Sequence, residues 1–100
     1  MNMQQMIMQA QKMQRELKKA KDELAKQEFT VTKGGAVTVK MMGNKTIESI
    51  SIDEDAFDKE NKEMVEDLLT LALNELYAQV EEAESKIEQK ITGKAGGFGF

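Results

Sequence analysis

The sequence predicts an α+β protein: a long N-terminal helix, a three-stranded antiparallel meander and a long C-terminal helix. The expected assembly is an intertwined or sheet-to-sheet homodimer with protruding helical arms. Three observations lead there. Apolar residues recur at steps of three and four over residues 1–26, the period falls to two over 28–52, and a helical period returns over 61–91. A helix of about 26 residues spans roughly 39 Å, longer than a domain of this size is wide, so its apolar stripe needs a second helix or a second chain.

In the first helix the stripe is Met3, Met6, Ala10, Met13, Leu17, Ala20 and Leu24. The segment has no Gly or Pro and is rich in Gln, Lys, Glu, Ala, Leu and Met, all good helix formers. Lys12, Lys19 and Lys26 are seven apart and share one edge, Arg15 and Lys18 fall beside it, and Glu16 and Glu23 flank the stripe. The lysine row is roughly 21 Å long, the length of about 6 phosphates on one DNA strand. The same charges also form i,i+4 pairs (Lys12–Glu16, Lys18–Asp22, Lys19–Glu23, Asp22–Lys26), as on any solvated helix. Charge pattern alone therefore leaves a phosphate track and a solvent face both open. The Met-rich start (Met1, Met3, Met6, Met8) could be an adaptable apolar tip that meets other proteins, and the methionine stripe admits two readings as well. Methionine can wedge between base steps, but a stripe at helical spacing predicts core.

At Phe29 the alternation begins: Phe29, Val31, Val37, Val39 and Met41 against Thr30, Thr32, Thr38 and Lys40. Gly34-Gly35 suits a two-residue hairpin turn and Gly43-Asn44 marks a second turn, giving strands over about 28–33, 36–42 and 45–52. Ile47 and Met42 are out of phase with their neighbours. Either a bulge near Ser49 re-aims Ile47, or both faces of the sheet are partly covered.

Asp53-Glu54-Asp55 follows. It lacks the glycine and the spaced ligands of a calcium loop, and acids ahead of a helix favour its positive end. In the second helix Val65, Leu69, Ala72, Leu76, Val80, Ala83, Ile87 and Ile91 form the stripe, with Gly93 as the expected stop. Its middle, including Leu68, Leu69, Ala72, Leu73 and Leu76, is apolar on nearly all sides and is the expected core and dimer contact, because a helix apolar all round is buried all round. Residues 81–90 are polar outside the stripe and are expected to protrude. The tail, 93–100, is Gly-rich and expected to be mobile, with Phe98 and Phe100 as a less favoured interaction hook. The whole reads as one domain, with an acidic linker and helix over 53–92.

The chain has no Cys and no His. Disulfides, thiolate chemistry, sulfur metal sites and the usual general base are thereby excluded. Ser49, Ser51 and Ser85 have nothing to activate them, and no Gly-rich loop opens a helix as phosphate-cradling loops do. The reading is of a non-enzyme without cofactor or metal. No apolar run reaches the ~20 residues of a membrane span, and the Gln-rich start is unlike a signal peptide, so a cytoplasmic protein is expected. The net charge of −4 hides a division. Residues 1–52 hold nine basic against five acidic side chains, and residues 53–100 hold five against thirteen. A polyanion would meet the first half.

Two binding classes survive: a protein whose basic helix tracks DNA phosphates, and a coiled-coil, chaperone-like module with the helix–hairpin–helix order of prefoldin subunits. The second predicts helices that pair with each other and an exposed apolar tip.

The chain also resembles the YbaB/EbfC family of bacterial nucleoid-associated proteins over essentially its whole length. The resemblance is carried by Gln9-Ala10-Gln11-Lys12-Met13-Gln14, Glu23-Leu24, the Gly-punctuated hairpin, Ser51-Ile52-Asp53, residues 62–68 (KEMVEDL), Asn74 and the short Gly/Phe tail. It implies a cytoplasmic, nucleoid-associated homodimer shaped like tweezers that grips double-stranded DNA, without enzymatic activity, membrane contact or small-molecule substrate. Carried onto this chain, it implies phosphate contacts from Lys12, Arg15, Lys18, Lys19, Lys21 and Lys26, and from Lys86 and Lys90 on the second helix. The tail lacks the prolines common in that family.

Overall fold

A computed structural model describes residues 2–95. Helix α1 covers Met3–Ala25, strands β1, β2 and β3 cover Glu28–Lys33, Val37–Met42 and Ile47–Ile52, and helix α2 covers Lys62–Ala95. The molecule is drawn out to 68 × 22 × 14 Å. A sheet with the near half of α2 forms one end, and α1 lying against the far half of α2 forms an arm.

Asn2 starts α1 by accepting the amide of Gln5 on its side-chain oxygen at 2.7 Å, which satisfies one of the unpaired amides of the first turn. The helix ends against the sheet. The Gly43 amide donates to the Gln27 carbonyl at 2.9 Å, and a Cβ on Gly43 would stand 1.8 Å from the Leu24 carbonyl oxygen. Glycine is required there because backbone meets backbone.

The strands form an antiparallel sheet in the order β1-β2-β3. The first connection takes three residues rather than the expected two. Gly34 and Gly35 both have positive φ, and the carbonyl of Ala36 is engaged by the Asp53 amide, so regular pairing begins at Val37. A register shift settles the phase of Ile47. Ser49 pairs with Lys40 and Ile47 with Met41, leaving Glu48 as the extra residue of a bulge. Ile47, Ile50 and Ile52 thus share a face with Phe29, Val31, Val37, Val39 and Met41, because paired residues project to the same side. The opposite face carries Thr30, Thr32, Thr38, Lys40, Ser49 and Ser51, with the Thr32 and Thr38 hydroxyls 3.0 Å apart.

Helix α2 packs chiefly on β1 and β2. Ala72, Leu76 and Val80 are fully buried against Val31, Val37, Val39 and Met41. Leu68 lies over the first hairpin turn, and Leu69 and Leu73 are half-buried beside the core. One sheet does not enclose the apolar middle of α2, since Leu71 on its outer side is 56% exposed. Nor does α2 cover β3, where Ile47 and Ile50 remain exposed. Between β3 and α2, two short 3-10 turns over Glu54–Ala56 and Lys59–Asn61 are capped by the Asp53 and Asp58 carboxylates, which accept the amides of Asp55 and Glu60.

Gly93 does not stop α2, which continues to Ala95. Nothing lies within 4 Å of where its Cβ would be, and an exposed glycine within a helix costs only about 1 kcal/mol. The Thr92 hydroxyl also donates to the Glu88 carbonyl within the same turn. The remaining Gly/Phe tail, with Phe98 and Phe100, lies outside the described residues.

Candidate nucleic-acid interface

The arm fixes what each face of α1 can do. Leu24 is buried and Met13, Leu17 and Ala20 are half-buried against α2, where Ile91 is also buried. The antiparallel register is marked by an ion pair from Lys21 to Glu88 at 3.1 Å. The stripe is core only along this stretch. Met3 and Met6, expected in the core, are exposed at the start of α1, as are Ile7 and Met8. The reason lies in that register: α1 is antiparallel to α2 and its first turns lie beyond the stretch where the half-buried stripe meets it.

Lys12, Arg15, Lys18, Lys19 and Lys26 are all exposed on the side away from the stripe. Among the described residues Lys12, Arg15, Lys19 and Lys26 have no carboxylate within ion-pair distance, whereas Lys18 is bonded to Asp22 at 3.0 Å. A free ammonium can accept a phosphate without first giving up a partner. Lys12, Arg15, Lys19 and Lys26 are therefore the stronger half of the expected set. Lys21 belongs to the seam between the helices. Lys86 is paired with Glu82 at 3.3 Å, on a helix that also carries Glu81, Glu84 and Glu88. Lys90 is exposed on the same helix. The arm thus has a basic helix and an acidic one, which is how the charge division along the sequence appears in space.

A clamp that sequence reasoning missed ties the second hairpin turn to α2. Lys45 takes a left-handed backbone conformation, φ 70°, although it is not glycine. Its Nζ bonds to Glu81, lies 4.0 Å from Glu84 and sits 4.7 Å from the centre of the Tyr77 ring. The hydrogen bond to Glu81 raises the Lys45 pKa, and the same bond, helped by Tyr77, lowers that of Glu81. No spacing signal marks this cluster, because Lys45 is more than 30 positions from Tyr77, Glu81 and Glu84 and meets them only through the fold. Lys33 makes a similar but simpler ion pair with Glu75.

Met8 stands apart from the stripe. It lies four residues before Lys12, seven before Arg15 and eleven before Lys19, and this spacing puts it on the basic face rather than on the stripe.

An elongated α+β chain with a row of unpaired cations along one exposed helix face has a charge arrangement that suits an extended polyanion. Comparison with known proteins gives the particular family. Residues 1–95 match the YbaB/EbfC DNA-binding family, and the chain belongs to it. It is 42% identical over 91 residues to a nucleoid-associated protein of Mycoplasmopsis pulmonis, covering 91% of this chain and 90% of that one. It is 40% identical over 94 residues to one of Clostridium novyi, covering 93% and 82%. A third, of Chloroflexus aurantiacus, is 37% identical over 99 residues, covering 98% and 99%.

Proposed function

We propose that this protein is a cytoplasmic, non-enzymatic nucleoid component that acts as a homodimer and grips duplex DNA through the basic face of α1. The observation that carries the grip is the unpaired row of Lys12, Arg15, Lys19 and Lys26, held on the exposed side of a helix whose other side is packed. Phosphate contacts of this kind give strong, salt-dependent and weakly sequence-selective binding. Lys18, Lys21 and Lys86 can add to it only by exchanging their carboxylate partners, whereas Lys90 has no such partner among the described residues but lies on the acidic helix. The acidic flank of α2 limits the duplex to one side of each arm.

The dimer is supported by apolar surface that one chain leaves open. Ile47 and Ile50 are uncovered on β3, Leu71 on α2, and Phe57 is 74% exposed. Phe57 borders an open pocket of about 390 Å³ lined also by Ile52, Ala56 and Val65 and by Lys59 and Lys62. Ile47 and Ile50 share the open face of β3, an apolar patch of that kind favours a protein contact, and β3 is in addition a sheet edge in want of a partner. Among the described residues no helix is long and apolar enough to cross a membrane.

The chaperone-like alternative predicted paired helices and an apolar tip, and the arm has both. Membership of a DNA-binding family favours DNA. Titrating a fluorescent mixed-sequence duplex at two salt concentrations tests the choice. Binding that weakens steeply with salt is expected; no binding at low salt would remove DNA from the account and leave the protein-binding reading. Sedimentation of the same samples is expected to give twice the chain mass.

A further inference from the structure

We infer that Met8 is the apolar side chain through which the bound protein reaches the bases, as a wedge at the outer end of the phosphate track. This rests on the proposed grip of α1 on duplex DNA. Met8 is 63% exposed and continues the line of Lys12, Arg15 and Lys19 along one face of α1, one turn outside Lys12 and not on the packing stripe. A ligand that engages Lys12 and continues along the same line passes over Met8. That ligand is a polyanion, and the apolar part of duplex DNA is its base stack.

The dimensions agree. A helix with its side chains is about 10–12 Å across, and the minor groove is about 6 Å wide, so on the minor-groove side of an undeformed duplex α1 rides on the phosphates. A single unbranched side chain can enter. Methionine has three rotatable bonds and no charge to desolvate, and apolar side chains of its kind part base steps and kink the duplex. Met8 is also placed where the arm offers least hindrance. It precedes the half-buried stretch of α1, about 6 Å from Lys12 and one turn beyond the last cation of the row. Elsewhere that face is polar, with Gln4, Gln11, Lys12, Arg15, Lys19 and Asp22, so an exposed methionine there serves neither packing nor solvation.

The test uses the full chain and duplexes carrying 2-aminopurine at successive positions, a base whose fluorescence rises when it is unstacked. Wild-type protein is expected to give a severalfold rise at one or two neighbouring positions. Met8→Gln is expected to lose that rise, and Met8→Leu to keep it. Both variants should retain the wild-type sedimentation and the wild-type slope of log K against log salt, because no phosphate contact is removed. A rise that survives in Met8→Gln, or no rise at any position while wild-type protein binds, would overturn the wedge. So would an altered oligomer in Met8→Gln, which would assign Met8 to a protein contact. Failure of wild-type protein to bind duplex at low salt would instead overturn the DNA grip itself.

Discussion

The two ends of this molecule solve different problems with the same kind of helix. At the sheet end, α2 is held by shape: Leu76 and Val80 are fully buried against Val37 and Val39. In the arm, α1 and α2 meet along a narrower seam, from Met13 and Leu17 to Leu24 on one side and up to Ile91 on the other, with charge on both flanks. Stability is thus concentrated at one end and electrostatic character at the other. A surface that binds a polyanion must collect like charges, which repel and give little back to folding. Placing them on an arm whose outer face packs against nothing keeps that cost away from the core.

The comparison can be broken most directly at the core. Leu76→Ala is expected to lower the unfolding free energy by about 2–5 kcal/mol, the range for large-to-small changes at fully buried sites, as read by urea denaturation. The same truncation at Leu71, on the open side of α2, is expected to cost much less when the chain is monomeric and dilute. If Leu71→Ala were as damaging as Leu76→Ala under those conditions, stability would not be divided as described.

A second, smaller effect is expected at the joint between the two ends. Gly43→Ala drives a methyl into the Leu24 carbonyl, so the end of α1 must shift away from the turn. About 1–3 kcal/mol of overpacking cost is expected, together with faster hydrogen exchange around Gln27 and Gly43. Unchanged exchange would mean that the close approach of these backbones is not what seats the arm.

The smallest effect concerns the Lys45 clamp. Glu81 has a lowered pKa in the fold, so its contribution is full above the ordinary glutamate value, about 4.3, and is lost as pH falls through the lowered folded value. Lys45 has a raised pKa, so its part is present below the ordinary lysine value and is lost only as pH rises through the raised one. Tyr77 is the only tyrosine and there is no tryptophan, so intrinsic emission reports on this site. A change of Tyr77 emission below about pH 4 is expected in the wild type and not in Lys45→Met. Identical acid titrations of the two would show that the clamp does not form.

Periodicity made most of the fold legible. The change of period at Phe29 marked the sheet, and the misfit of Ile47 pointed to the bulge now found at Glu48. The stripe on α2 from Val65 to Ile91 is the packed face of that helix. What stayed hidden depended on partners that periodicity does not encode. Gly93 reads as a stop because glycine favours helix ends, yet an open position inside a long helix tolerates it. The methionine stripe says that a face is apolar, not how far a second helix extends to cover it, so Met3 and Met6 were assigned to a core that ends before them. Lys45 meets Tyr77 and Glu81 only through tertiary structure. For the interface, the sequence located the basic face of α1 and offered four i,i+4 pairs on it, of which Lys18–Asp22 alone forms among the described residues; the pairings of Lys21 and Lys86 were not legible. Lys18, Lys21 and Lys86 differ from Lys12, Lys19 and Lys26 by the carboxylates beside them.

That last difference is the one to measure. Lys12, Lys19 and Lys26 replaced together by glutamine leave the packed seam untouched, so the helical content and sedimentation of the wild type are expected to persist. If these lysines neutralise phosphates, the slope of log K against log salt should flatten by about 2.7 for each arm engaged, at roughly 0.9 per contact, with affinity lost evenly across duplex sequences. A triple variant that binds duplex DNA with the wild-type affinity and the wild-type slope would contradict the account and place the DNA on another surface.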